Sequence, residues 1–430
     1  MTPEVKERIE QIRHGNVPEG YKKGKLGIVP VDWEEVPFST LFTNTSAYTD
    51  DLTQYPLHSL TIEDGITPKT ERYERSHLVK KENSYKIVRP NDYAYNPMNI
   101  RFGAVARHKG DQDVAVSGYY DIFTTVHESD LAFMDSFLTC GPMITYYNKV
   151  STGSLLEKQR VHFSDFLQFI LPLPKLEERK KIAEHLKAHD QVIELKEKLL
   201  AEKQRQKKYL MQQLLIGKKR LPGYDSNWQN CKLHQIAKRI RRRNSIGNKN
   251  VLTISAQYGL INQSEFFNKE VASDDKSNYY LLKRNDFAYN KSYSSGYPFG
   301  AIKRLTRYDM GVVSPLYICF EILGENVSLE YMEQYFEAGL MNREIQAFAQ
   351  EGARNHGLLN IAVDDLFNSK IVLPSLEEQR AIAEILTAAD REIELLRQDL
   401  EQEKQKKKAL MQLLLTGIVR VNTPDREMHA

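Results

Sequence analysis

Residues 174–217 read PKLEERKKIAEHLKAHDQVIELKEKLLAEKQRQKKYLMQQLLIG, and residues 374–417 read PSLEEQRAIAEILTAADREIELLRQDLEQEKQKKKALMQLLLTG. The second stretch is the first displaced by two hundred positions without a gap, with about half of the positions identical. Such a repeat decides the architecture before any local motif does. In the second copy Ile382, Leu386, Ala389, Ile393, Leu396, Leu400, Glu403, Lys407, Leu410 and Leu414 are spaced alternately by four and three. That heptad seam makes two helices supercoil left-handedly. The first copy keeps the register with Ile182, Leu186, His189, Ile193, Lys196, Leu200, Lys203, Lys207, Leu210 and Leu214. Ser375 followed by Glu378 predicts a capping box just after Pro374. The first copy has Lys175 at that place and keeps only the paired acids of its first turn. Both copies end in a leucine-rich turn and a glycine, Gly217 or Gly417, suited to a left-handed stop. At 1.5 Å per residue each is a rod of about 60 Å, the natural length for a spacer.

Around these rods, 430 residues leave room for two domains of about 150 residues each. The net charge of +3 neither demands nor excludes a nucleic-acid partner, so distribution matters more. Residues 218–250 hold ten basic side chains against one acid, Asp225, and are densest at Lys238, Arg239, Arg241, Arg242 and Arg243. Taken alone, such a run is more often a solvated face than a binding site. The lysines of 203–208 and 404–408 read as coiled-coil surface. Three scattered cysteines, Cys140, Cys231 and Cys319, make neither a disulfide framework nor a zinc spacing. No segment approaches the ~20 apolar residues that cross a bilayer, and the first residues hold no signal-peptide core. The expected location is a reducing cytoplasm.

The remainder of the chain is also duplicated. A short helix is expected over Pro3–Arg13. From about Leu26 the composition turns to short β-rich runs between turn residues. Trp33 is echoed by Trp228, and Leu60-Thr61-Ile62 before Gly65 by Leu252-Thr253-Ile254 before Gly259. Asn91-Asp92-Tyr93-Ala94-Tyr95-Asn96 returns as Asn285-Asp286-Phe287-Ala288-Tyr289-Asn290, a turn feeding a strand with alternating aromatic positions. The fold class is therefore α/β (α+β): two tandem mixed α/β domains separated by long helices, in a duplicated order. The expected segments are an N-terminal helical piece at 1–25, a first domain at 26–173 and a central long helix at 174–217. A second domain at 218–373, a second long helix at 374–417 and a tail at 418–430 follow.

No catalytic constellation stands out in the sequence. The sequence has no Gly-rich phosphate loop ending in Lys-Ser/Thr and no His-Glu-x-x-His. Asn96-Pro97-Met98-Asn99 lacks the second proline and the aromatic of an amino-methyltransferase site and reads as a loop. The histidines are scattered, and His189 on the seam reads as a setter of helix register. No metal ligand set is expected.

The arrangement resembles the DNA-specificity subunit of type I restriction–modification systems. The residues that carry the likeness are Leu173-Pro174-Lys175-Leu176-Glu177-Glu178 through Ala183, Leu373-Pro374-Ser375-Leu376-Glu377-Glu378-Gln379 through Ala383, and the helix ends Leu210-Met211-Gln212 and Leu410-Met411-Gln412. The second copy fits the family's Glu-Gln-x-x-Ile pattern, whereas the first has Glu178-Arg179. The resemblance, which covers about Leu26 to Gly417, implies two target-recognition domains, each reading one half of a split site in double-stranded DNA. It implies that the two long helices form an antiparallel coiled coil about a pseudo-twofold, which sets the spacer and docks two methyltransferase subunits that restriction (translocase) subunits can join. It implies a non-catalytic subunit without cofactor, with S-adenosylmethionine, Mg and ATP in the partners.

Reading base edges calls for Arg, Lys, Asn or Gln, with other cations on phosphate. The candidates are Asn99, Arg101 and Arg107 after the shared strand of the first domain, and Lys291, Tyr293 and Arg304 in the second. A second pair of loops offers Lys158, Gln159 and Arg160, or Arg354, Asn355 and His356, flanked by Gly153 and Gly352. Three other readings stay open from the residues: the specificity subunit of a fused nuclease–methylase system, a stand-alone DNA-modifying enzyme, and a coiled-coil scaffold without a nucleic-acid role.

Overall fold

A computed structural model describes residues 2–69, 84–155, 159–255, 258–267, 275–294, 296–351 and 359–422. The chain divides into two compact units, one of residues 1–196 with 399–430 and the other of residues 197–398. Each unit thus holds one α/β domain and half of each long helix.

In the first unit a four-stranded antiparallel sheet runs in the order Val105–Arg107, Tyr93–Tyr95, Asp121–Thr125, Phe42–Asn44. Its central strand is buried on both faces. Tyr93 and Tyr95 point into a large aromatic core with Phe38, Phe42, Phe123 and Phe166, under the helices Leu131–Phe137 and Gly141–Val150. Ala94 faces the other way, into a smaller core with Val88, Val114, Val116 and Ile122. Period-two alternation therefore separates bulky from small residues rather than apolar from polar. The small side lets a second sheet, Val114–Ser117 with Tyr85–Val88 and Ala47–Thr49, lie against the first.

The second unit repeats the plan. Its sheet runs Ala237–Arg239, Ile318–Ile322, Phe287–Asn290, Ala301–Arg304. Phe287, Tyr289 and Phe320 enter the helix-side core, and Ala288 and Cys319 enter the core shared with Leu282 and Val313. The register is the same in both units. Tyr93 pairs with Arg107 and with Phe123, and Phe287 pairs with Arg304 and with Phe320.

The long helices span Leu176–Leu214 and Leu376–Leu415, 39 and 40 residues. In the first unit the residues through Lys196 pair with those from Asp399 onward. Lys196 lies 2.8 Å from Asp399, His189 lies 3.1 Å from Glu403, and Lys407 bonds Asp190. In the second unit Lys203 lies 2.6 Å from Glu392 and Lys207 2.5 Å from Asp390. Within each unit the pairs run in opposite directions, 189–403 then 196–399 in the first and 203–392 then 207–390 in the second, so the helix segments of each unit are antiparallel. Lys203 and Lys207, which the sequence places on the heptad seam within a lysine run read as coiled-coil surface, are interhelical partners. Ile182, Leu186, Leu214, Ile382, Leu386, Ile393, Leu400 and Leu414 are buried, and Ile193, Leu200, Leu210, Leu396 and Leu410 are half-buried.

The helix starts correct one expectation. Ser375 Oγ accepts from the Glu378 N–H at 3.3 Å, but the Glu378 carboxylate does not turn back to complete a capping box. It takes two bonds of 2.7 Å from Arg220 and one of 3.1 Å from Trp228 Nε1. In the first unit Arg420 does the same, bonding Glu178 at 2.6 and 2.8 Å and Asp32 at 2.8 Å. The stops behave as the glycines imply. Gly217 and Gly417 have φ of +69° and +70°, and Trp228 and Trp33 lie against them. The Pro3–Arg13 helix forms, and the following residues belong with the chain's far end. Arg8 donates to the Ile418 carbonyl at 2.7 Å, and the Tyr21 hydroxyl to that of Gly417 at 2.8 Å. The hairpin Tyr21–Gly24 with Gly27–Pro30 straddles the boundary placed at Leu26.

Candidate nucleic-acid interface

The Asn-Asp turn that precedes each central strand shows how the repeated residues act. Asn91 and Asn285 adopt φ of +70° and +77°, a conformation that Asn tolerates better than most side chains. The buried Asp92 accepts from the Arg89 N–H at 3.2 Å, and the buried Asp286 from the Lys283 N–H at 2.7 Å. Burial raises both carboxyls above their ordinary range, against these bonds.

Arg107 and Arg304 belong to the same device. Arg107 bonds the Asn91 side chain at 2.6 Å and Asp135 through two bonds of 2.9 and 2.8 Å. Arg304 bonds the Asn285 side chain at 2.7 Å, Glu330 at 2.9 Å and Glu333 at 3.3 Å. The Asp135 hydrogen bond outweighs desolvation and raises the Arg107 guanidinium further above its usual range. Sequence places both arginines in the polar loops after the shared strands. They are instead the last residues of strands, and their donors tie the turn to helix Leu131–Phe137 or Leu329–Glu337. A bidentate, half-buried ion pair occupies the fork that would otherwise read a base.

The two loops named in each domain lie together. In the first domain, residues 96–104 leave the central strand, turn through Ile100–Phe102 and close at Gly103, φ +96°. Arg101 Nη1 donates to Gln159 Oε1 at 2.9 Å, and the Val161 N–H donates to the Pro97 carbonyl at 3.0 Å. Asn148 Nδ2 donates to the Arg101 carbonyl at 2.8 Å. Arg160 and Thr152 exchange two backbone bonds of 2.9 Å, and Gly153 beside them has φ of +141°. Asn99 is exposed on this surface. Phe102 (52% exposed) lies 4.7 Å under the Arg101 guanidinium, and Ile62 (56%) stands on the hairpin His58–Thr61 with Gly65–Pro68. A Cβ on Gly103 would sit 4.0 Å from Ile62. Lys158 lies outside the described residues.

In the second domain the Lys291 carbonyl accepts from the Leu359 N–H at 3.1 Å, again joining the first loop to the second. Lys291 is half-buried, and Tyr293 is 65% exposed. Behind them Tyr297 donates to Glu337 at 2.5 Å and accepts from Lys303 at 3.0 Å, which fixes the base of the loop. Burial and the adjacent Glu337 carboxylate push the Tyr297 hydroxyl well above its usual range. Gly352, Arg354, Asn355 and His356 lie outside the described residues. Sequence offered no reason to single out Asn148, Ile62 or Phe102, although an apolar residue at a hairpin tip is a usable signal of a contact surface.

Both surfaces present amide, guanidinium and hydroxyl donors on loops held by a rigid sheet. That chemistry suits base edges and phosphates. Among the described residues no group of three or more His, Cys, Asp or Glu is placed to hold a metal ion, and no helix is long and apolar enough to cross a membrane.

A family model described as the type I restriction modification DNA specificity domain matches residues 135–203 and 225–404, more than half of the chain. The specificity subunit of the type I restriction enzyme MjaVIII, from Methanocaldococcus jannaschii, is 54% identical over 56 residues, 13% of either chain. The matched curated relatives are thus spanned over only 13–15% of their length. A chain from a study of complex assembly and conformational transition in the type I R-M system superposes with a TM-score of 0.54 at 15% identity, covering 91% of this chain and 99% of that one. The S subunit of a type I restriction-modification system from M. genitalium gives a TM-score of 0.50 at 11% identity, covering 91% and 97%. These two likenesses show the fold.

Proposed function

Because the chain belongs to the type I restriction modification DNA specificity domain family, we propose that it is the non-catalytic DNA-reading subunit of a type I restriction–modification assembly. Each α/β domain reads one half of a bipartite site in double-stranded DNA. The two long helices set the spacer and dock two methyltransferase subunits, to which restriction subunits can add. S-adenosylmethionine, Mg and ATP belong to those partners, and the assembly works in the cytoplasm.

One observation carries this reading. In both domains the structure joins the loop after the central strand to the loop before the long helix, through Arg101–Gln159 and Pro97–Val161 in one and Lys291–Leu359 in the other. A duplicated pair of polar loops on a duplicated scaffold is what two independent readers require, because the rigid elements fix position while the loops differ in sequence. Among the candidates, Asn99, Arg101, Gln159, Arg160, Lys291 and Tyr293 remain as contacts with DNA, joined by Lys158, Arg354, Asn355 and His356.

The decisive experiment is methylome sequencing of the source strain before and after deletion of the gene. Loss of one bipartite methylated motif is the expected result, and an unchanged methylome overturns the reading. Exchange of residues 221–373 with those of another specificity subunit should then alter one half of the motif and leave the other intact.

A further inference from the structure

The two domains share a sheet, but its outer strand differs in charge between them. In the second domain that edge strand is Ala237–Arg239, continued by Ile240-Arg241-Arg242-Arg243. In the first it is Phe42–Asn44, continued by Thr45-Ser46-Ala47-Tyr48, without a basic residue. The structural equivalence is close. Arg239 pairs with Phe320 as Asn44 pairs with Phe123, and the Ile240 N–H donates to the Cys319 carbonyl as the Thr45 N–H donates to that of Ile122.

The register fixes where this basic strand leads. Arg239 and Phe287 both pair with Phe320, from opposite sides. Residue numbers rise in the same direction on both strands, so Lys238 lies level with the Asp286 turn, Ile240 level with Ala288, and the chain beyond Ile240 runs toward the end where Asn290 enters the reading loop. Two strand spacings, about 10 Å, separate residues at the same level. Two of the five cations are used internally: Arg242 bonds the buried Asp286, and Arg243 donates to the Asn278 carbonyl and lies 4.5 Å over the Tyr280 ring. Lys238 and Arg241 are exposed, and among the described residues neither is held in an ion pair, although Glu321 stands opposite Lys238 in the strand register. In the lysine runs of the long helices, by contrast, Lys203, Lys207 and Lys407 pair with carboxylates of the facing helix.

We infer that this strand is a phosphate clamp of the second domain. Lys238 and Arg241 hold the DNA backbone beside the half-site that the domain reads, and the strand at the same place in the first domain carries no such clamp. The inference rests on the DNA-reading function proposed above. Its consequence is an unequal division of labour, with the sequence-independent, salt-sensitive part of the affinity weighted to the second domain at this strand. Each neutralised phosphate contributes a slope of about −0.9 in log K against log salt.

The test uses the full-length chain in complex with its methyltransferase subunits. Fluorescence anisotropy would be recorded from 50 to 200 mM KCl on a duplex bearing the methylated motif and on one with both half-sites scrambled. Lys238→Ala with Arg241→Ala should make the salt slope shallower by about 1.8 on both duplexes. The wild-type advantage, largest at low salt, should shrink about twelvefold across that range, and the methylated motif should stay the same. Lys238→Arg with Arg241→Lys should keep the wild-type slope. An unchanged slope in the double alanine variant overturns the inference. So does a changed motif, or release of the methyltransferase subunits on gel filtration, since the residues would then read bases or hold a protein. If the wild-type complex does not distinguish the two duplexes at all, it is the DNA-reading function that fails.

Discussion

Arg179 Nε lies 3.3 Å from Asp130 Oδ1, the carboxylate buried and the arginine side chain 13% exposed, where the long helix of the first unit meets the start of helix Leu131–Phe137. The same place in the second unit holds an uncharged pair. Gln379 accepts from the Ser328 N–H at 2.9 Å and donates to the Asn326 carbonyl at 3.1 Å, and Ser328 caps helix Leu329–Glu337. The departure of Glu178-Arg179 from the Glu-Gln pattern is therefore one half of an exchange, completed by aspartate in place of serine 49 residues earlier.

The exchange makes a prediction about coupling. Arg179→Gln leaves the buried Asp130 carboxylate without its cation, and breaking one side of a buried pair costs about 3–5 kcal/mol. For a unit of this size that lowers Tm by about ten degrees. Adding Asp130→Ser should recover most of the loss, because the two substitutions recreate the pair of the second unit. Thermal unfolding of both singles and the double gives the coupling directly. Additive effects would mean that the two residues do not share one site.

The two helix-stop glycines differ in what surrounds them. A Cβ at Gly217 would meet Trp228 at 3.4 Å, an ordinary contact, whereas at Gly417 it would lie 2.5 Å from Pro30 and 2.9 Å from Trp33. Gly217→Ala should cost only the left-handed strain, about 1 kcal/mol. Gly417→Ala should add about 1–3 kcal/mol of overpacking. The chain has two tryptophans, Trp33 and Trp228, one against each glycine, so denaturant unfolding followed by tryptophan fluorescence reports each site. Equal losses would show that Pro30 and Trp33 yield freely.

The helix pair and the tandem domains were legible because a repeat two hundred residues apart and a heptad seam are long-range signals that noise does not imitate. The central strands were legible for the same reason, and their Tyr-Ala-Tyr alternation was open to a two-sheet reading. Arg107 and Arg304 were misplaced because their carboxylate partners are 26 to 29 residues away, on a helix that local pattern does not connect to them. Arg220 and Arg420 could have been found. They repeat at the same offset of two hundred, three residues beyond the glycines that end the long-helix repeat. The capping box failed for a related reason, since local spacing did not show that a distant arginine would take the Glu378 carboxylate.

Acid should loosen the helix pair at a nameable place. Desolvation disfavours the charged Glu403 carboxylate, but the His189 hydrogen bond, Lys406 and Lys196 outweigh it and hold its carboxyl below the ordinary range. A depressed carboxylate contributes stability above its unfolded value and loses it as pH falls through its folded value. Glu403→Gln should therefore lower Tm at neutral pH and flatten the decline of Tm below about pH 4.5. A variant whose Tm keeps the full wild-type difference at pH 3 would remove Glu403 from the account.

The spacer role of the long helices is open to a direct length test. One heptad inserted in both helices, at places opposite one another, keeps the seam continuous and adds about 10 Å, close to three base pairs. Methylome sequencing should then show both half-sites unchanged, separated by about three more base pairs. A heptad inserted in one helix alone slides the register, parts Lys196 from Asp399 and His189 from Glu403, and should lower stability instead. An unchanged separation in the doubly extended protein would show that something other than the helix pair sets the distance between the half-sites.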